Sequence, residues 1–163
     1  MAIGGASIAW AVVVIIEPAG VCVNRPDGLS ELVQVTRVID GDTIVVNLSG
    51  RNQTVRYIGM DTPETVHPTR PIEYYGPEAS VFNKVLVEGK TVWIERDISQ
   101  TDQFGRLVRY VWLGNDLVNA TLVQEGYARA VSFPPDVRCG DLFGNSNRRL
   151  LIMNEACGED NAI

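Results

Sequence analysis

Between Glu31 and Ile58 the chain is three short extended runs separated by turn residues, and this commits its first half to a β-meander. Glu31 to Ile39 alternates, with Leu32, Val33, Val35 and Val38 as its apolar positions, and reads as a strand. Asp40-Gly41 makes a turn, Thr43 to Leu48 is the second strand, Ser49 to Asn52 is a hairpin loop, and Gln53 to Ile58 is the third strand. The ends of these strands carry an unusual set of residues. Asp40 and Asp42 flank the first turn, Arg56 sits in the third strand between Val55 and Tyr57, and Asp61-Thr62-Pro63-Glu64 follows at once.

Beyond the meander, Pro77 to Glu88 has helical spacing, with Ala79, Phe82, Val85 and Leu86 on one face. Pro77 suits the first turn of a helix and Gly89 its end. Thr91 to Arg96 and Leu107 to Leu113 read as the fourth and fifth strands, and Leu117 to Glu125 as a second helix ended by Gly126. Ala128 to Phe133 is a short extended segment stopped by Pro134-Pro135, and Arg148 to Ala156 has room for about two turns of a third helix. Thr65 to Tyr74, with Pro68 and Pro71, reads as an irregular exposed loop. The predicted class is α+β, mainly β: a five-stranded OB-fold barrel with two to three packed α-helices.

Charge limits what such a barrel can do. The 163 residues carry a formal net charge of −6, the wrong sign for binding nucleic acid through a broad basic surface. Contact with a polynucleotide must therefore be local, through a few arginines and a metal ion. Three cysteines and a single histidine fit no zinc spacing. Cys139 and Cys157 can pair in an oxidising compartment, leaving Cys22 free, or all three remain thiols.

Each acidic or basic residue in the meander has an ordinary reading when taken alone. Asp40-Gly41-Asp42 is a turn, Glu64 a surface glutamate after proline, Arg56 one half of a structural ion pair, and Arg106 a solvated loop residue after Gly105. Together they have a chemistry. Carboxylate and carbonyl oxygens suit a hard cation such as Ca²⁺, and arginine forks around phosphate oxygens. A site holding both suits a phosphodiester, because cation and guanidinium share the charge that develops on phosphorus oxygens.

The set Asp40-Gly41-Asp42-Thr43, Arg56 followed five residues later by Asp61-Thr62-Pro63-Glu64, and Asp102-Gln103-Phe104-Gly105-Arg106 resembles the staphylococcal-type thermonuclease family. Tyr75 to Ser80 and Val118 to Ala120 are also similar, and the resemblance covers roughly Leu32 to Val137. It implies an OB-fold core and a Ca²⁺-dependent endonuclease that hydrolyses DNA and RNA, preferably single-stranded, to 3′-phosphate products. It implies Asp42, Asp61 and the Thr62 carbonyl as metal ligands, with Asp40 in support. It implies Arg56 and Arg106 on the phosphate and Glu64 on the attacking water. His67 receives no role and reads as a surface loop residue. Where the family stacks the nucleotide on tyrosines, Phe104, Ser132 and Pro134 stand here, with Phe133 between the last two, so weaker or differently selective substrate binding is expected. Tyr127 reads as core. The rival readings are a non-catalytic OB-fold module that binds nucleic acid or protein on the same scaffold, and a Ca²⁺-binding structural domain.

Met1 to Ile16 is apolar and uncharged, and Glu17-Pro18 stops it short of the roughly 20 residues a spanning helix needs. Residues 1–23 are read as an export signal or membrane anchor, 24–30 as a linker, 31–157 as the barrel domain and 158–163 as a tail. The expected protein is a monomer, secreted or membrane-anchored on the extracellular side.

Overall fold

The computed structural model describes Cys22 and residues 30–63 and 75–144. The expected meander forms from β1 (Ser30–Asp40), β2 (Thr43–Leu48) and β3 (Arg51–Tyr57), all antiparallel. The hairpin between β2 and β3 is a two-residue turn, tighter than expected, with Ser49 at φ 52° and Gly50 at φ 81°. Two consecutive positive φ values are what a tight hairpin following the strand twist requires. The first turn falls at Gly41-Asp42, one residue later than expected, because β1 runs through Asp40.

After β4 (Met60–Asp61) and α1 (Gly76–Val87), the chain adds β5 (Thr91–Glu95) and β6 (Leu107–Leu113) to the other edge of β1. β6 then pairs in parallel with β3, Val55 against Leu107 and Arg56 against Val108, and this pairing closes the sheet. The result is the predicted five-stranded barrel, with no free edge left between β3 and β6. Its interior is filled by alternate side chains, among them Val35, Ile44, Val46, Val55, Tyr57 and Ile94, each at most 2% exposed.

Among the described residues three helices pack outside: α1, α2 (Val118–Gln124), which follows the short β7 (Asp116–Leu117), and α3 (Gly140–Gly144), which sequence periodicity did not indicate. The expected helix over Arg148 to Ala156, the expected loop over Thr65 to Tyr74, and His67 lie outside the described residues. α1 docks largely through the face predicted for it, with Ala79 buried and Phe82 and Leu86 packed against the core, and departs from it at Val85. Val85 is 71% exposed, whereas Ala79, Asn83 and Val87 are buried. The polar Asn83 faces inward because it is satisfied there: its Oδ1 accepts from the Tyr57 hydroxyl at 3.0 Å and its Nδ2 donates to the Asp40 carbonyl at 3.1 Å. α1 is thereby tied to the turn that carries Asp42. Tyr127 packs against the core as expected, stacked on Phe82 with ring centroids 4.2 Å apart.

A second, two-stranded sheet joins β4 to β8 (Arg129–Ala130), with Met60 opposite Ala130 and Asp61 opposite Arg129. A further bond from the Val131 N–H to the Gly59 carbonyl, 3.0 Å, extends that register. Only two residues of the expected segment Ala128 to Phe133 are strand; Phe133 instead bridges back to Asp136 around Pro134-Pro135.

The cysteine expectation is corrected. Cys139 pairs with Cys22 across a sequence separation of 117, not with Cys157, which lies outside the described residues. Cys22 and Cys139 are 6% and 1% exposed and belong to the core. Among the described residues no helix is long and apolar enough to cross a membrane.

Candidate active site

The turn between β1 and β2 aims Asp42 inward, to 1% exposure. A carboxylate so placed needs partners for both oxygens. Oδ1 accepts from the Thr43 hydroxyl at 2.9 Å and from Arg56 Nη1. Oδ2 accepts from both the backbone N–H and the hydroxyl of Thr62, at 3.0 and 2.9 Å. Thr62 approaches this closely because residue 41 is glycine. A Cβ there would lie 2.7 Å from Thr62 Cγ2 and 2.8 Å from its Oγ1.

Arg56 reaches the site from β3, whose residue 56 pairs with Thr43 across the hairpin. Its second nitrogen, Nη2, donates to Asp61 Oδ1 at 2.7 Å. One guanidinium therefore spans Asp42 and Asp61. The remaining Asp61 oxygen, Oδ2, accepts from Arg129 Nη2 at 3.1 Å. Burial holds the Asp42 carboxyl above the usual carboxylate range, opposed by the charge of Arg56 and by the hydrogen bonds from Thr62 and Thr43.

Arg106 is set apart from this cluster. The tight turn at Gly105 (φ 77°) places it just before β6, whose next residue, Leu107, pairs with Val55. Asp102 holds it there, accepting its Nε at 2.6 Å and its backbone N–H at 2.9 Å. Burial alone would raise the Asp102 carboxyl, but the bonds from Arg106 and from the Phe104 N–H hold it below its ordinary value. Phe104 is 73% exposed, with the Arg106 guanidinium carbon 5.3 Å from its ring centroid. An open aromatic face next to an arginine is the arrangement that stacks a nucleobase.

The structure thus brings Asp42, Arg56, Asp61 and Thr62 into one cluster and leaves Arg106 outside it, just before β6. Glu64 lies outside the described residues. Sequence reading missed Arg129. It stands 68 residues from its partner, and only the pairing of β4 with β8 puts the two together. A cleft of about 220 Å³ is lined by Gly59, Tyr110, Ala130, Ser132, Val137 and Phe143, and none of the clustered charges lines it.

Among the described residues there is no group of three or more His, Cys, Asp or Glu side chains able to hold a metal ion. The two carboxylates nevertheless lie close enough for a single cationic group, the Arg56 guanidinium, to bind both. Carboxylate oxygens so placed are the donor type a hard cation takes, with water and substrate oxygens completing its shell.

Comparison with known proteins gives the same family. The family model described as "Staphylococcal nuclease homologue" matches residues 54–141. The chain is 46% identical over 113 residues to a thermonuclease of Staphylococcus intermedius, covering 69% of this chain and 67% of that one. It is 47% identical over 105 residues to a thermonuclease of Staphylococcus hyicus, covering 64% and 62%. It is 43% identical over 117 residues to endonuclease YncB of Bacillus subtilis (strain 168), covering 69% and 56%. These matched segments span two thirds of the relatives' lengths or less. The expected enzyme class, a phosphodiester hydrolase, agrees with those names, and the barrel agrees with the expected architecture. The chain belongs to the staphylococcal nuclease homologue family.

Proposed function

We propose that the chain is a Ca²⁺-dependent nuclease that hydrolyses phosphodiester bonds of DNA and RNA, acting as a monomer and preferring single strands. The observation that carries this reading is the convergence of the Asp42 and Asp61 carboxylates on one guanidinium at the mouth of a closed barrel. Asp42, Asp61 and the Thr62 carbonyl would hold the ion, which supplies charge neutralisation at the phosphate when bound.

The chain's own groups then divide the work. Asp42 is oriented by Thr43 and Thr62, whose hydrogen bonds favour its charged form against the burial that disfavours it. Arg56 and Arg106 present forked donors to the non-bridging oxygens, where they stabilise the pentacoordinate state. Glu64, assigned by resemblance, accepts a proton from the attacking water. The water oxygen bonds to phosphorus, the bond from phosphorus to the 5′ oxygen breaks, and that oxygen takes a proton from solvent, to which Glu64 afterwards returns its own. The products are a 3′-phosphate and a 5′-hydroxyl. Phe104 offers a stacking face for a base, without the hydroxyl of a tyrosine.

The Cys22–Cys139 disulfide supports maturation in an oxidising compartment, and hence a secreted or membrane-anchored extracellular domain. Any cleavage that keeps this bridge must fall before Cys22.

The test is cleavage of single-stranded DNA and RNA by the purified chain, with Ca²⁺ and then with chelator, beside Glu64→Ala. Ca²⁺-dependent cutting that falls by orders of magnitude in the variant is expected, with 3′-phosphate ends. Strand binding without cutting would mean a binding module on a nuclease scaffold.

A further inference from the structure

Arg129 is tied to the candidate site by the backbone and not by chance contact. It lies directly opposite Asp61 in the β4–β8 pair, and the Val131 N–H bond to the Gly59 carbonyl continues the same register. Its side chain is nevertheless 66% exposed and meets Asp61 only at Oδ2, 3.1 Å away. An ion pair this open contributes little to stability and exchanges readily.

The two carboxylates are held unequally. Asp42 has three hydrogen bonds from Thr43 and Thr62 in addition to Arg56. Asp61, 34% exposed, is shared by Arg56 and Arg129. In a chain of net charge −6, a strand of phosphates must be attracted by particular cations, and an exposed arginine at the rim of the cluster is well placed to be one.

We propose that Arg129 is a substrate-binding residue: it rests on Asp61 in the free protein and moves to a backbone phosphate of the bound polynucleotide. This rests on the functional reading above. Arg129 leaves Asp61 when that carboxylate turns to a bound cation, so cation and strand favour one another's binding through the exchange. A guanidinium released beside the site gains a charge-assisted, two-pronged contact to phosphate in place of a weak surface pair.

The test uses the full chain carrying Glu64→Gln, so that the strand stays intact, with Arg129→Ala, Arg129→Gln and Arg129→Lys added singly. Calorimetry reads Ca²⁺ affinity, and an oligodeoxynucleotide titrated over a salt series in Ca²⁺ reads strand affinity. For Arg129→Ala and Arg129→Gln, strand binding should weaken roughly tenfold at low salt, with the salt slope reduced by about 0.7. Ca²⁺ should bind as tightly or severalfold more tightly, because a competing cation is gone. Arg129→Lys should keep most of the slope.

A fall in Ca²⁺ affinity with an unchanged salt slope would show that Arg129 only positions Asp61, and would overturn the proposal. So would no change in either quantity. A parent protein that binds neither Ca²⁺ nor the strand would overturn the functional reading itself. Thermal melting of each variant, expected within a degree or two of the parent, separates these outcomes from misfolding.

Discussion

Thr62 donates two hydrogen bonds to one oxygen of Asp42, through its backbone N–H at 3.0 Å and its hydroxyl at 2.9 Å. The residue expected to lend a carbonyl to the metal therefore also fixes the most buried carboxylate of the site. Thr62→Val keeps the shape and removes the hydroxyl donor. It should cost about 1.5–3 kcal/mol, the usual range for a bond to a charged group, and weaken Ca²⁺ binding. Chemical denaturation and calorimetry on the same variant check both.

Glycines at two turns should respond differently to alanine. Gly50 has φ 81° and open space around an added Cβ, so Gly50→Ala should cost only the left-handed backbone penalty of about 1–2 kcal/mol. Gly59, at φ 79°, would also place its Cβ 2.5 Å from the Phe143 ring. Gly59→Ala should cost at least about 1 kcal/mol more and loosen Phe143 of α3 from the turn before β4. The pair of melting curves decides it.

The disulfide should be a large contributor to stability. Closing a loop over a separation of 117 removes chain entropy from the unfolded state worth at most about 4–5 kcal/mol. Cys139→Ser should lose a substantial part of this, and reductant should destabilise the parent protein but leave the variant unmoved. A parent protein indifferent to reductant would mean that the bridge contributes nothing.

The pH dependence has a defined sign. Burial raises the folded-state carboxyls of Asp42 and Glu95 above their ordinary values of 3.8 and 4.5. For a carboxyl raised on folding, the unfolded state releases its proton first, so this contribution to stability is present below the ordinary value and is lost as pH rises through the folded one. In chelator, melting temperature should therefore bear this loss above about pH 4. Added Ca²⁺ should offset the part due to Asp42, so the melting shift on adding Ca²⁺ should grow with pH over the same window. A Ca²⁺ shift independent of pH from 4 to 7 would exclude Asp42 as a ligand.

Much of the fold was legible because its signals are local. Alternation placed β1, β2, β3, β5 and β6, and the Gly-rich turns bounded them within a residue or two. The face of α1 was legible at Ala79, Phe82 and Leu86 but not at its edge. Apolar spacing favoured Val85, while the helix instead buries Asn83, whose partners Tyr57 and Asp40 lie 26 and 43 residues away. Periodicity ranks side chains by hydrophobicity and does not register that a polar group has found its hydrogen bonds.

The sequence by itself determined the meander, the barrel class and a compact run of chemistry, since Asp42, Arg56, Asp61 and Thr62 fall within 21 residues on consecutive strand ends. Only the tertiary structure decided which oxygens meet which cations. The pairing of β4 with β8 delivered Arg129 to Asp61, while Asp102 held Arg106 just ahead of the strand that closes on β3. The fold also brought Cys139 to Cys22, 117 residues away in sequence. The reason is physical. Turns and strands are written in neighbouring residues, whereas the register between distant strands is set by backbone hydrogen bonds and a shared core that no local pattern encodes.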